Sequence, residues 1–326
     1  MRERIMGKCL VIGSTVCDVM IYLDQLPGRQ GDTHIRKQVM SLGGCAFNVV
    51  TILHHLGVDY DFISPVGSGL YGTFVKSELK KLGIETSIAL DGENGCCYCF
   101  VESDGERTFL SHHGVEYRFD PSWLEGLDLS SYEYIYVCGL ELEEETGQLL
   151  VDSLTDCLTP IIFAPGPRGN KIPSERMQQL LDLSPILHVN EQESIDLTHE
   201  VDVEKATIQL FNRTGRAVIV TRGKNGAIAF DGGWHKVASF PATVKDTIGA
   251  GDSHVGALMA ALAIGKNLTQ GLKFANLVSS YIVSQEGVHL EEIQYKELKE
   301  RLTNIGEWEW ERTRQSKKSS STSLYF

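Results

Sequence analysis

Long apolar runs, excess positive charge and a disulfide framework are all missing from this sequence. No uninterrupted apolar run reaches the roughly 18 residues that a membrane-spanning helix requires. The 30 Lys and Arg residues are outnumbered by 43 Asp and Glu residues. The resulting net charge of −13 argues against a nucleic-acid partner, because phosphate binding depends on clustered positive side chains. Eight cysteines in 326 residues do not form a disulfide framework.

The N-terminal stretch MRERIMGKCLVIG is basic and then apolar, as the start of a secretory signal peptide would be. Its apolar part is short, lacks a small-residue cleavage site and is soon followed by Asp18. We therefore interpret it as a leading β-strand. We expect a cytoplasmic protein that has neither a membrane nor a nucleic-acid partner.

Three familiar nucleotide-binding signatures are also absent. No G-x-x-x-x-G-K-[ST] occurs, which excludes a P-loop enzyme, and no H-R-D or D-F-G occurs, which excludes a protein kinase. Gly13 follows an apolar strand, but the segment GSTVCD lacks the G-x-G-x-x-G spacing that lets the backbone approach a pyrophosphate. This spacing argues against a dinucleotide-dependent dehydrogenase.

Three cysteines cluster in the segment CCYC, at Cys96, Cys97 and Cys99, with His112 and His113 nearby. A zinc site is one interpretation of this cluster. However, the sequence has no second C-x-x-C motif to pair with this one, and no His-x-His spacing accompanies it. A buried strand with small apolar side chains is the interpretation that we favour.

The middle and end of the chain alternate between strand and helix patterns. The segments YEYIYVCG, PIIFAPG, PILHVN and AVIVTRG are strand candidates separated by helical stretches. This alternation predicts a parallel sheet with helices on both faces. Helical spacing also predicts helices that end at Gly57 and at Gly83, and two late helices in GALMAALAIG and LKFANLVSSYIVSQEG.

Two segments depart from this alternation. Between about residues 88 and 119, Asp104-Gly105 lies between two alternating apolar segments and predicts a β-hairpin, so we expect a β-rich insertion here. The ending, residues 313–326, is rich in Ser and Lys without an apolar period, which predicts a disordered tail.

The stretch DTIGAGD, which begins at Asp246, has the composition of an anion-binding helix start. The amides of Gly249, Ala250 and Gly251 would lack intrahelical acceptors, and the helix dipole adds positive potential, so they suit a phosphoryl group. Asp252 could then accept the proton of an attacking hydroxyl. Helix-start statistics alone favour Asp252 as a simple N-terminal cap. The motifs described next favour the role of Asp252 as a general base.

The chain resembles the PfkB (ribokinase-like) family of carbohydrate kinases, and is closest in pattern to an uncharacterised bacterial sugar-kinase subgroup. The family motif D-T-x-G-A-G-D-x-x-x-G-A is present from Asp246 to Ala257. The segments GGCAFN, NEQE and TRGKNG match further family motifs in the family's order, and Asn276 follows them. Singly, each of these shorter elements also fits an ordinary turn, cap or loop.

The resemblance implies a three-layer αβα fold with a mostly parallel central sheet and a small β-sheet lid. The kinase domain would span residues 1–312, with the lid formed by about residues 31–42 and 90–118. The lid makes a homodimer in many family members, and the resemblance leaves that state open here. The implied activity is ATP-dependent phosphorylation of a sugar hydroxyl.

The resemblance also implies roles for individual residues. Asp252 would be the general base, and Gly249, Ala250 and Gly251 the anion hole. The residues implied for substrate binding are Asp18, Gly43, Gly44, Asn48 and Glu141. The residues implied around ATP are Asn190, Thr221, Arg222, Gly223, Lys224, Asn225, Gly226, Gly251 and Asn276. Glu193, with Asn190, would help to organise Mg²⁺ and phosphate.

Two of the implied roles have strong alternatives. Some family members bind potassium beside the anion hole, and the corresponding positions here are Asp246, Ile248, Ile282, Gln285 and Gly287. Only Asp246 has a side chain that plainly suits a cation, so the sequence does not decide whether potassium binds. Glu141 is followed by three further glutamates, and a solvated acidic helix start is the interpretation that we favour for it.

The acceptor is not fixed by the sequence. Ribokinase-type sequences often carry Lys inside the Gly-Gly motif, whereas this chain has Cys45, Ala46 and Phe47, which weakens any transfer of ribose specificity. A nucleoside kinase shares the same motifs. A catalytically silent sugar-binding regulator is a further alternative, although such a protein would not need the intact Asp252.

Overall fold

An eight-stranded sheet lies at the centre of the computed structural model, which describes residues 7–86 and 88–305. The predicted tail at 313–326 and the end of the predicted kinase domain lie outside the described residues. The strand order is β14-β13-β12-β11-β10-β9-β1-β4. These strands are β1 (Lys8–Ile12), β4 (Tyr60–Ile63), β9 (Tyr132–Cys138), β10 (Ile161–Ala164), β11 (Ile186–Asn190), β12 (Val218–Thr221), β13 (Ala227–Phe230) and β14 (Trp234–Val237).

Most of this sheet is parallel, as the alternating pattern predicts. Strands β4, β1, β9, β10, β11 and β12 pair in parallel, and their buried residues form near-continuous apolar runs. Strands β13 and β14 extend one edge as an antiparallel hairpin. Sequence reasoning missed this hairpin, although Asp231, Gly232 and Gly233 between two short apolar segments are typical of its turn.

Helices pack on both faces of the central sheet. One hydrophobic cluster contains Phe47, Tyr136 and Phe274, and a second cluster contains Phe163. The helices are α1 (Cys45–Leu56), α2 (Gly69–Leu82), α3 (Gly139–Glu143), α4 (Gly147–Ser153), α5 (Ser174–Asp182), α6 (Glu191–Thr198), α7 (Val203–Thr214), α8 (Ala250–Ala263), α9 (Leu268–Ile282) and α10 (Glu292–Thr303). Among the described residues, no helix is both long and apolar enough to cross a membrane.

The helix ends follow the sequence signals. Helix α1 ends at Gly57 and α2 ends at Gly83, and both glycines are left-handed, as a helix C-terminus favours. The late helices α8 and α9 also confirm their predictions.

A small sheet of four strands stands apart from the central sheet, in the order β3-β2-β7-β8. Its strands are β2 (Val16–Tyr22), β3 (Lys37–Gly43), β7 (Cys96–Val101) and β8 (Arg107–His112). Strands β7 and β8 pair antiparallel around Asp104 and Gly105, which confirms the predicted hairpin. A separate pair joins β5 (Val66–Ser68) to β6 (Ala89–Glu93).

The N-terminal segment contributes to both sheets. Strand β1 belongs to the central sheet, whereas β2 lies between β3 and β7 in the small sheet. Sequence reasoning did not place residues 16–22 in the small sheet, because nothing in the short link Gly13-Ser14-Thr15 shows that the apolar segment after it joins a different sheet. This division brings Asp18 close to the ends of the central strands.

Candidate active site

The first turn of α8 forms an open, glycine-lined surface. Gly249 precedes the helix in a left-handed conformation (φ 66°), and a Cβ atom there would lie 2.2 Å from Val288, so the position requires glycine. A Cβ atom on Gly251 would meet no atom within 4 Å. The space above Gly251 can therefore admit a ligand close to the backbone. The Ala250 amide donates a long bond, 3.3 Å, to the Thr247 carbonyl.

Asp252 is not the N-terminal cap of α8. The cap position is Gly249, and no side chain caps the helix. Instead, the carboxylate Oδ2 of Asp252 accepts a hydrogen bond of 2.8 Å from Nδ2 of Asn48 in α1. Burial raises the pKa of Asp252, and the Asn48 and Cys45 side chains offset part of that rise. The cap interpretation is wrong, and Asp252 has the environment of a strengthened base.

Asp18 faces the same region from the small sheet. Its carboxylate occupies the space that a side chain at Gly43 would need, since a Cβ atom there would lie 2.0 Å from Oδ2 of Asp18. Burial, and then the negative charge of Asp252, raises the pKa of Asp18 to about 7. Gly44, the residue before α1, lies against the Ser14 carbonyl. The structure thus brings Asp18, Gly43, Asn48 and Asp252 together.

Glu141 lies in the interior and not on a solvated helix start. Its side chain is buried, and its Oε1 accepts a hydrogen bond of 2.7 Å from the Ser14 amide. A Cβ atom on Gly13 would lie 2.9 Å from the same oxygen. Burial raises the pKa of Glu141, and the Ser14 amide opposes that rise. The solvated interpretation is therefore wrong, because the chain turns between β1 and β2 directly over this carboxylate.

Asn190 and Glu193 form a capping box at the start of α6. The Asn190 side chain accepts from the Glu193 amide (2.8 Å), and Glu193 accepts from the Asn190 amide (3.0 Å) and side chain (2.8 Å). Burial raises the pKa of Glu193, and the negative charge of Asp252 adds to the rise. The negative charges of Glu193 and Asp252 are therefore close enough to interact.

A cavity of about 490 Å³ lies beside the glycine turn, between β12, α8 and α9. It contains most of the residues that the resemblance implied for ATP, namely Thr221, Gly223, Lys224, Gly226, Gly251 and Asn276. Asn190, Arg222 and Asn225, which were also expected around ATP, do not line this cavity, and Arg222 instead lies 3.6 Å from the Glu191 carboxylate. Sequence reasoning missed the segment Ser239, Phe240 and Pro241, which also lines the cavity.

Asn276 shapes this cavity through a buried hydrogen-bond chain. Its Nδ2 donates to the carbonyls of Val237 and Ala238 (3.1 Å each), and its Oδ1 accepts from Nε2 of His254 (3.1 Å). Nδ1 of His254 then accepts from Nε2 of His188 (2.8 Å). Burial lowers the pKa of His254 to about 4, so both ring nitrogens keep these neutral roles. Sequence reasoning missed both histidines, which carry no motif of their own.

The Asp246 carboxylate, which was expected beside potassium, already binds several groups of the protein. The Asp246 carboxylate accepts from the amides of Ile248 (2.8 Å) and Gly287 (3.0 Å), and it forms an ion pair with Arg107 of β8. The Ile282 carbonyl accepts from the Gln285 amide (3.3 Å). The guanidinium group therefore already supplies the positive charge that this carboxylate requires.

Comparison with known proteins identifies a family for the chain that contains this glycine turn, buried carboxylate and cavity. Residues 6–293 match the pfkB family of carbohydrate kinases. The chain belongs to this family. It is therefore a phosphotransferase that acts on an alcohol group of a carbohydrate, as the sequence motifs predict.

Individual relatives agree with this family. The chain is 33% identical over 287 residues to the uncharacterised sugar kinase YegV of Escherichia coli, which covers 85% of this chain and 89% of that protein. It is 26% identical to a nucleoside kinase of Methanothermobacter thermautotrophicus, over 85% of this chain and 90% of the relative. The ribokinase of Arabidopsis thaliana, solved with ribose and ATP, matches with a TM-score of 0.76 at 19% identity, over 90% and 99% of the two chains. The ribokinase fold follows, with its central sheet and smaller separate sheet.

Proposed function

We propose that the chain transfers the γ-phosphoryl group of ATP to a hydroxyl group of a neutral sugar, with Asp252 as the general base. The observation that carries this proposal is the hydrogen bond from Asn48 to Asp252 at the open turn of Gly249 to Gly251. A fixed carboxylate beside an anion-binding helix start is the arrangement that in-line phosphoryl transfer requires.

The chemistry follows from the positions of these groups. Asp252 removes the proton of the acceptor hydroxyl as its oxygen attacks phosphorus. The N-terminal amides of α8 stabilise the negative charge of the phosphoryl group during transfer. ADP leaves from the cavity of about 490 Å³, whose size suits a nucleoside portion held between Thr221 and Asn276.

Magnesium would accompany ATP, and the acidic residues beside the turn suit it. Glu193 is oriented by Asn190 and electrostatically coupled to Asp252. Mg²⁺ usually keeps several of its waters, so Asn190 and Glu193 would hold it largely through water. When bound, the ion supplies positive charge to the ATP phosphates.

The acceptor is expected beneath the small sheet, against Asp18, Gly43 and Gly44. With its pKa raised to about 7, Asp18 can donate a hydrogen bond to a sugar hydroxyl when it is protonated and accept one when it is ionised. The ionised carboxylates of Asp18 and Asp252 disfavour an acceptor that carries its own negative charge. The nucleoside kinase among the relatives supports a nucleoside as the second candidate acceptor. An intact Asp252 argues against a catalytically silent regulator.

A panel of acceptors tests this proposal. ADP release is measured with MgATP and each of a set of pentoses, hexoses, ketoses, sugar phosphates and nucleosides. We expect turnover with a neutral sugar and much less with any sugar phosphate. Turnover confined to nucleosides would favour the second candidate, and no acceptor-dependent ADP release at all would contradict the kinase assignment.

A homodimer through the small sheet is a further part of the proposal. The apolar side chains of Ile35, Val39, Phe109 and Leu110 are 54%, 39%, 52% and 57% exposed on or beside its two edge strands. Light scattering should give twice the chain mass for the wild type and the chain mass for Phe109→Ser/Leu110→Ser. A monomeric wild type would contradict the dimer.

The expected site of action is the cytoplasm.

A further inference from the structure

One ion pair joins the small sheet to the family motif. Arg107 is the first residue of β8, and its guanidinium group contacts Oδ1 of Asp246, which lies three residues before Gly249. Their side chains are only 18% and 3% exposed. The two residues are 139 positions apart in sequence, so this contact exists only when the small sheet lies over the turn.

Asp246, which contacts Arg107, also forms hydrogen bonds with the backbone of the turn. The oxygen that faces Arg107 also accepts from the Ile248 amide, and the other oxygen accepts from the Gly287 amide. Burial alone would raise the pKa of Asp246, but the Gly287 amide, Arg107 and the Ile248 amide outweigh burial and lower it. The carboxylate is thus charged, buried and bonded to the segment that leads into Gly249.

Removing the small sheet would leave this charge without its counter-ion. A buried carboxylate without a positive partner is costly, because desolvation is no longer offset by a close opposite charge. The conformation of residues 246–249 therefore depends on whether Arg107 is in place. In some family members the positive charge near this motif is a potassium ion, whereas here a side chain of the small sheet provides it.

We propose that Arg107 replaces a monovalent cation beside the anion hole and so couples the position of the small sheet to the assembly of the phosphoryl-transfer site. The inference rests on the proposed function. Arg107 acts here as a positioning residue, because it holds Asp246 and does not touch the reacting atoms. The enzyme then needs no potassium, and its anion hole forms fully only beneath the small sheet.

The first experiment measures potassium dependence in the wild type. Turnover and melting temperature are compared in potassium chloride and in tetramethylammonium chloride at equal ionic strength. We expect turnover to agree within about twofold and no potassium-specific rise in melting temperature. Strong activation or specific stabilisation by potassium would overturn the inference. The melting comparison decides the matter even if no acceptor in the panel reacts, which separates this inference from the proposed function.

The second experiment replaces Arg107. We expect Arg107→Ala to lower kcat by about tenfold or more while KM for ATP changes little, because a misplaced anion hole weakens transition-state binding. Potassium or the variant Arg107→Lys should restore part of kcat. Arg36→Ala, which removes an exposed arginine near the same sheet that pairs with Asp24, is the matched control and should behave as the wild type. Unchanged kcat in Arg107→Ala, or a loss that neither potassium nor lysine reduces, would overturn the inference.

Discussion

The Asn48 side-chain amide donates a 2.8 Å hydrogen bond to the Asp252 carboxylate, which ties the first turn of α1 to the first turn of α8. The two residues are 204 positions apart, and each belongs to a different family motif. Because both helices are buried against the same face of the central sheet, this bond fixes one carboxylate oxygen in a rigid setting. The other functional features of the site are arranged around it.

Asn48→Ala should slow catalysis without unfolding the protein. A hydrogen bond to a charged group contributes about 1.5–3 kcal/mol, which corresponds to roughly a tenfold to hundredfold fall in kcat. Steady-state kinetics measure this fall, and Asn212→Ala on the exposed side of α7 is the control. In the Asp252→Asn background the same change should add little further loss. Fully additive losses would contradict a shared role.

Gly251→Val should block catalysis while leaving the fold intact. A Cβ atom at Gly251 meets no protein atom within 4 Å, so the added side chain would fill the space that the phosphoryl group needs. We expect a fall in kcat of at least about a hundredfold with an unchanged melting temperature. Gly28→Val is a matched control, since Gly28 also has open space around it. Normal turnover in Gly251→Val would contradict the anion hole.

Asp18→Asn should change how stability depends on pH. The pKa of Asp18 rises from 3.8 to about 7 on folding, so the folded state binds more protons than the unfolded state between these values. Stability from this group is therefore present below pH 3.8 and is lost as pH rises toward 7. A tenfold change in proton affinity corresponds to about 1.4 kcal/mol. As the pH rises across this window, the free energy of unfolding should therefore fall by a few kcal/mol less in Asp18→Asn than in the wild type.

Urea denaturation at several pH values within the window tests this prediction, with exposed Asp32→Asn as control. Identical pH slopes in Asp18→Asn and the wild type would contradict it.

Asn276→Leu should weaken ATP binding more than it slows the chemical step. The change leaves the carbonyls of Val237 and Ala238 and the ring of His254 without their partner, at a cost of about 1–3 kcal/mol for each unsatisfied buried group. Calorimetry with ATP and a melting curve measure the two effects. Exposed Asn212→Leu should alter neither. An unchanged ATP affinity would show that the cavity does not bind the nucleotide.

Local signals made much of the fold predictable. The parallel strands are apolar runs, and Gly57 and Gly83 mark helix ends because few other residues adopt a left-handed conformation there. The family motif was readable because it is contiguous. Strand β2 was not assigned to the small sheet, because nothing local shows that the chain leaves the central sheet after Ile12.

Contacts between distant segments could not be read from the sequence. Glu141 lies in a run of glutamates that is typical of a solvated helix, and only the packing of Gly13 and Ser14 against it explains its burial. Arg107 lies in a polar hairpin, and its ion pair with Asp246 depends on where the small sheet lies. Such contacts are set by tertiary packing, which overrides local pattern.

The most direct test of the account is the rate of sugar-dependent ADP release by Asp252→Asn. General-base catalysis contributes about 10²- to 10⁴-fold, so kcat should fall by that factor while ATP affinity stays close to that of the wild type. Asp152→Asn, a change on the exposed side of α4, should keep full activity. A kcat for Asp252→Asn within a few-fold of the wild type would contradict the central claim that Asp252 deprotonates the acceptor.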